Sequence, residues 1–284
     1  MDGGPGFSAY LVDYQNAGLY LHALVAVPDK AAPPQGYPVL IANHGFHPDP
    51  PRYGFTPDGR NWRPGNYYRP VPAAFTAAGF LVVMPDFRGH NGSATCVFMP
   101  NVPASAYYAE DVVALIGGLA AIDKADTGNL FLWGHSMGGP ITLQTLLASA
   151  SVRAVSLWST ANVQPVMGDT APFDFKHSRA PDLDGVRPTV MTKQEQADSM
   201  PAPLPNNRLT YLRAPLLLHH AVGDKSTAYS GSANLAEELQ RLGKSHRLHS
   251  YPGNEHFLTG AQFETAVARD IEFFRTWMRP ATAP

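Results

Sequence analysis

The sequence predicts an α/β protein with a mostly parallel central sheet and helices on both of its faces. Two observations carry this. Short, wholly apolar runs of the kind that fill buried strands recur along the chain, and segments of helical periodicity lie between them. Alternation of strand and helix implies right-handed crossovers and therefore parallel neighbours.

The elements follow in order. Residues 19–27 read as a strand entered from a turn at Asn16, Ala17 and Gly18. Residues 39–42 form a buried run, and 71–78 a helix. A strand at 80–84 and a helix at 105–122 come next, then a strand at 130–133, a helix at 138–150 and a strand at 154–158. The series closes with a strand at 215–218, a helix at 231–242, a strand at 247–251 and a helix at 261–278. That last helix places Phe263, Val267, Ile271, Phe274 and Met278 on one face at three- and four-residue spacing. No internal repeat is visible.

Two stretches break the alternation. Residues 46–70 hold six prolines, six aromatics and four arginines, and 159–210 hold seven prolines and eleven charged residues, with a short helical candidate at 192–200. Both leave the ends of strands, where open α/β sheets bind ligands. The expectation is a single domain over 1–284, with 46–70 as a loop over the site and 159–210 as a small lid insertion.

Composition narrows the class. A chain of 284 residues buries roughly 70–75% of its extended surface, which supplies a large core. With 21 basic and 23 acidic side chains, the net charge of −2 gives no global field for nucleic acid or an anionic membrane. The single cysteine, Cys96, excludes an intrachain disulfide framework and cysteine-rich zinc sites. The uncharged stretch 127–152 is broken by glycines, His135, Pro140 and Gln144, so it reads as strand–turn–helix and no membrane span is expected. The N-terminus lacks a basic region followed by an apolar run. A cytoplasmic location and export with the signal peptide already removed both fit, and the oligomeric state is not encoded legibly.

The chemistry concentrates in Gly134-His135-Ser136-Met137-Gly138-Gly139, between an apolar strand and a helical run. A serine hydroxyl is a weak nucleophile until a base takes its proton and a tight turn exposes it. The G-x-S-x-G pattern supplies that turn, and Pro140 suits the first turn of the helix that follows. The pattern needs an acid and then a histidine later in the chain. Asp224 follows a buried run in a glycine-containing loop, and His256 sits in the loop before the last helix. Asp169 is the alternative acid should Asp224 serve only as a turn or helix cap. Glu255 adjoins His256, but neighbouring loop residues point different ways. Two backbone N–H groups are needed for an oxyanion: Met137 directly after the serine, and Phe46 in the loop Asn43-His44-Gly45-Phe46. His44, His47, His219, His220, His246 and His249 show no three-ligand spacing, so neither a metal nor a cofactor is expected.

With these pieces the chain resembles an α/β-hydrolase, nearest the prolyl-oligopeptidase-like and dienelactone-hydrolase-like esterase branch. The resemblance runs from about residue 19 to the C-terminus through Val39 to Gly45, the segment Pro85-Asp86-Phe87-Arg88-Gly89-His90-Asn91-Gly92-Ser93, Glu110-Asp111-Val112, the Ser136 turn, Asp224 and His256. It implies Ser136 as nucleophile, His256 as base and then acid, Asp224 as orienter, and Phe46 and Met137 as oxyanion donors. It also marks departures. There is no room for the propeller domain of prolyl oligopeptidases, and dienelactone hydrolases carry a cysteine at the elbow, whereas Cys96 lies elsewhere.

The expected activity is hydrolysis of a small-molecule carboxylic ester through an acyl-enzyme. The alternatives are a small-peptide or amide hydrolase, a lyase or perhydrolase on the same triad, and a non-catalytic binding protein that kept the fold. The aromatic, net positive stretch 46–70 favours a substrate with an aromatic or carboxylate-bearing part, and Met167, Met191 and Met200 are candidates to line an apolar pocket.

Overall fold

The structure, a computed structural model, describes residues 3–46, 68–90, 92–94, 96, 102, 104–161 and 206–280. Eight strands form one sheet: β1 (Phe7–Asn16), β2 (Leu19–Pro28), β3 (Tyr37–Asn43), β4 (Leu81–Asp86), β5 (Ala125–His135), β6 (Val152–Trp158), β7 (Leu216–Ala221) and β8 (His246–Tyr251). Their spatial order is β1-β2-β4-β3-β5-β6-β7-β8. β1 and β2 pair antiparallel, as do β2 and β4, and every other neighbouring pair is parallel.

Side chains alternate across the strands, and the helices sort accordingly. Val39 and Ile41 of β3 and Leu130 and Leu132 of β5 face α2 (Ala104–Gly118), α3 (Gly138–Ala148) and α4 (Tyr229–Arg241). Leu40, Ala42, Phe131 and Trp133 face α1 (Pro70–Ala77) and α5 (Gly260–Thr276). The central strands are therefore apolar on both faces, which is why they read as unbroken runs. No helix among the described residues is long and apolar enough to cross a membrane.

Every strand and long helix expected from the sequence is present, with ends shifted by a few residues. β1 is the addition. Its partner β2 and the turn between them were legible: Ala17 (φ 50°) and Gly18 (φ 80°) form a two-residue hairpin turn in which both central residues take positive φ. β1 is the sheet edge, and its apolar residues do not keep to one buried face. Only Phe7 and Ala9 are buried, and from Tyr10 onward its residues are exposed or half-exposed. Of the two inserted stretches, only Phe46, Tyr68–Pro70, Ser159–Ala161 and the segment from Asn206 fall within the described residues. The lid helix candidate at 192–200, Asp169 and the three lid methionines lie outside them.

The order β4-β3-β5 contains the point where the winding of the sheet reverses. Connections from β3 and β5 leave in opposite directions there, so the loops at their carboxyl ends border a crevice. Those are the loop holding Gly45 and Phe46 and the turn holding Ser136.

Candidate active site

Ser136 stands between the end of β5 and the start of α3. Its φ of 54° lies in the left-handed region, which costs an ordinary residue about 1–2 kcal/mol. The surrounding backbone holds it there. The Ser136 N–H donates to the Trp158 carbonyl at 3.0 Å, and its own carbonyl accepts from Gly139 and Ala161, each at 3.0 Å. Gly138 is required by close approach, since a methyl group there would collide with the Asn43 carbonyl of β3. Met137 is the N-cap of α3, at the helix end where the first amides have no partner inside the helix.

Asp224 and His256 come from the loops after β7 and β8. His256 Nδ1 lies 2.8 Å from Asp224 Oδ2. Asp224 Oδ1 accepts from the N–H groups of Ser226 at 2.7 Å and Thr227 at 3.1 Å. The aspartate thus both caps a turn and holds an imidazole, so the two readings of this residue are compatible. The largest single influence on the carboxyl is burial, which pushes its pKa up. Hydrogen bonds from His220 and His256, the charge of His256 and the Thr227 amide outweigh burial together and hold it well below the usual carboxylate range. Of the two imidazoles His256 is nearer. His220 Nε2 stands 3.4 Å from Oδ2 and 3.0 Å from the Thr227 carbonyl, with Nδ1 2.7 Å from Ser232 Oγ.

The loop after β3 lies directly against the serine. A Cβ on Gly45 would come within 3.0 Å of Ser136 Cβ and 2.8 Å of Tyr68 Oη, so only glycine fits. The backbone N–H of Gly45 donates to Tyr68 Oη at 2.8 Å, and the Gly45 carbonyl is 2.7 Å from His44 Nδ1. In a trans peptide the C=O and the following N–H point opposite ways. The His44 contact therefore turns the Phe46 N–H away from the His44 ring. Phe46 is at the surface of the crevice, 39% exposed.

Five residues singled out in the sequence are thus gathered at the carboxyl ends of β3, β5, β7 and β8. Three contributors were not anticipated. Thr227 places its hydroxyl 2.9 Å from Asp224 Oδ2 and 2.9 Å from the Ser159 carbonyl. Tyr68 was only one aromatic among several in an irregular stretch, and His135 was only the variable position of the serine motif. Nothing in their sequence context marks either. His219 and His220 point to opposite sides of β7, as neighbours on a strand must. His219 Nε2 bonds Asp270 of α5 at 3.0 Å and its Nδ1 is 2.8 Å from Tyr251 Oη.

The sequence profile of the prolyl oligopeptidase family matches residues 66–281. The chain belongs to that family. Its fold is accordingly the α/β-hydrolase fold. Solved structures agree in fold. The acylaminoacyl peptidase of Pyrococcus horikoshii superposes with a TM-score of 0.65 at 17% identity, covering 98% of this chain and 43% of that one. A Klebsiella pneumoniae protein described as a dienelactone hydrolase gives 0.64 at 16% identity, covering 95% of this chain and 99% of its own. Est1E of Butyrivibrio proteoclasticus, solved with ferulic acid bound, gives 0.64 at 16%, covering 94% and 98%. This chain spans less than half the length of the archaeal peptidase. No curated protein sequence is significantly similar to it.

Proposed function

We propose that the protein hydrolyses a small-molecule carboxylic ester through an acyl-enzyme, with Ser136, His256 and Asp224 as the triad. Ser136 Oγ attacks the ester carbonyl while His256 Nε2 takes its proton. Asp224 holds the Nδ1–H side of the ring and stabilises the imidazolium. The amides of Met137 and Phe46 donate hydrogen bonds to the developing oxyanion. His256 then returns the proton to the leaving alcohol, and a water molecule repeats the sequence on the acyl-enzyme to release the acid.

The observation that carries this reading is the 2.8 Å Asp224–His256 contact beside a serine held at positive φ. For an ester rather than a peptide, the support is the likeness in fold to a Pyrococcus furiosus esterase and to Est1E, solved with ferulic acid bound. The family's name and the archaeal peptidase favour the second reading, cleavage of a short peptide or acylated amino acid by the same three residues.

A matched panel separates them: p-nitrophenyl esters from acetate to decanoate, aromatic esters, and aminoacyl anilides, each with wild type and Ser136→Ala. Ester turnover is expected, reduced at least about 10⁴-fold by Ser136→Ala. Anilide turnover exceeding ester turnover would establish the peptidase instead, and full activity in Ser136→Ala would refute the triad.

A further inference from the structure

Behind Ser136 runs a chain of hydrogen bonds that the proposed reaction does not itself use. Gly45 N–H donates to Tyr68 Oη at 2.8 Å, Tyr68 Oη lies 2.6 Å from His135 Nδ1, and His135 Nε2 lies 2.9 Å from the carbonyl of His256. The directions follow from the ends. A carbonyl only accepts, so His135 Nε2 carries the proton. In the neutral ring Nδ1 is then an acceptor and takes the hydroxyl proton of Tyr68. The hydroxyl oxygen in turn receives the Gly45 amide. Each group thereby has a partner of the right polarity.

We propose that Tyr68 and His135 are positioning residues that tie the loop carrying the Phe46 amide to the loop carrying His256, holding both in register around Ser136. The inference rests on the ester-hydrolase reading above. Four features support it. Tyr68 is 1% exposed and His135 1% exposed, so neither bond competes with bulk water. The rings are clamped: Tyr68 packs edge-on to Trp133 at 5.9 Å and to Phe257 at 5.4 Å, and the His135 ring lies 4.6 Å from that of His256. The Gly45 amide, being engaged by Tyr68, is removed as a competing oxyanion donor. And the chain joins parts far apart in sequence that have no strand pairing of their own to set their separation: β3 and β8 sit at different places in the sheet, with β5, β6 and β7 between them. A shift of either loop by about 1 Å is enough to cost on the order of 10²-fold in rate.

The test uses the whole protein and a fluorophosphonate probe together with p-nitrophenyl acetate. The probe's phosphorus bonds to the serine oxygen, fluoride leaves, and the hydroxyl proton passes to the histidine, so the rate reads the same base and the same oxyanion amides as ester cleavage. Tyr68→Phe keeps the ring and deletes only the hydroxyl. Its expected result is a loss of about 10- to 100-fold in both the inactivation rate constant and kcat, with KM within about threefold and the melting temperature lowered by only a few degrees. His135→Leu is expected to show a comparable loss, partly recovered in His135→Gln, which retains an acceptor and a donor. The Tyr68→Phe/His135→Leu double variant is expected to lose little more than the worse single variant, because both cut one chain. Wild-type rates in Tyr68→Phe would overturn the inference. So would a loss explained wholly by a smaller folded fraction, or additive effects in the double variant. Ser136→Ala separates this from the parent reading. If it still labels and turns over ester, the triad fails; if it is inert while Tyr68→Phe is fully active, only the positioning role fails.

Discussion

At Asp224 the two carboxylate oxygens have separate partners, and this separation has measurable consequences. Oδ1 takes two backbone amides of the following turn, while Oδ2 faces His256. Asp224→Asn replaces one oxygen by an N–H₂ donor. If the amide nitrogen takes the Oδ2 place it points a donor at Nδ1 and selects the wrong tautomer. A loss of about 10³- to 10⁴-fold in kcat/KM is expected from steady-state kinetics, with KM little changed. The depressed pKa makes a second, independent prediction. A carboxyl held below its unfolded value contributes stability in full above about pH 4, and that contribution disappears as pH falls through the lower folded value. The urea midpoint of wild type should therefore converge on that of Asp224→Asn as the pH is lowered below about 4. A constant gap between the two across that range would show that the carboxylate is not stabilised by its neighbours.

At the scale of elements, two of the residues quoted for the family resemblance, Arg88 and Asp111, form a buried ion pair. The Arg88 guanidinium, just past β4, reaches Asp111 of α2 through Nε at 3.0 Å and Nη2 at 2.5 Å, and the Arg88 amide donates to the same carboxylate at 3.1 Å. Asn16 Nδ2, at the end of β1, adds a bond at 2.9 Å. One carboxylate thus joins an edge strand, a central strand and a helix. Arg88 is 3% exposed and Asp111 fully buried. Removing Asp111 leaves the buried Arg88 guanidinium only the exposed Glu110 carboxylate, 3.0 Å from Nη2, so Asp111→Ala should lower stability by about 3 kcal/mol in chemical denaturation. On the opposite face Asp270 of α5 accepts from Trp158 Nε1 of β6 at 2.9 Å and bonds His219 of β7, which fastens the last helix to two strands.

For the whole molecule, acid weakens the fold in two steps, one at His249 and one at Asp224. His249 on β8 has its pKa lowered to about 4, first by burial and then by the charges of His219, Arg269 and Arg247, with Asp270 opposing. The sign is clear: between about pH 6.5 and pH 4 the unfolded chain binds a proton at this residue and the native protein does not. Stability attributable to His249 is therefore intact above about pH 6.5 and lost on acidification toward pH 4. The Asp224 contribution begins to fall only below that window. A two-part decline of the urea midpoint is expected in wild type, the upper part absent in His249→Asn. A decline in that window unchanged by the substitution would assign it to other groups.

How far the sequence reaches is visible in particular residues. The sheet and its helices were legible because strands buried on both faces are apolar through their centres, as 39–42 of β3, 81–84 of β4 and 130–133 of β5 are, and because α5 repeats its apolar positions at helical spacing. Ser136 was legible because its backbone conformation and the close approach at Gly138 demand a local pattern that survives as text. β1 was not, since its apolar residues do not alternate cleanly: Tyr10 and Leu11 are exposed, and Phe7 and Ala9 are buried. Asp224 and His256 could be named from their places after strands, yet their 2.8 Å contact depends on two parallel strands lying side by side. Tyr68 and His135 were beyond reach for the same reason in stronger form. A buried hydrogen-bond chain is made by whichever donors and acceptors the folded chain brings within about 3 Å, and no spacing rule connects residues 45, 68, 135 and 256. Local chemistry determined the fold and the serine, and only the packing of strand ends against one another decided what surrounds it.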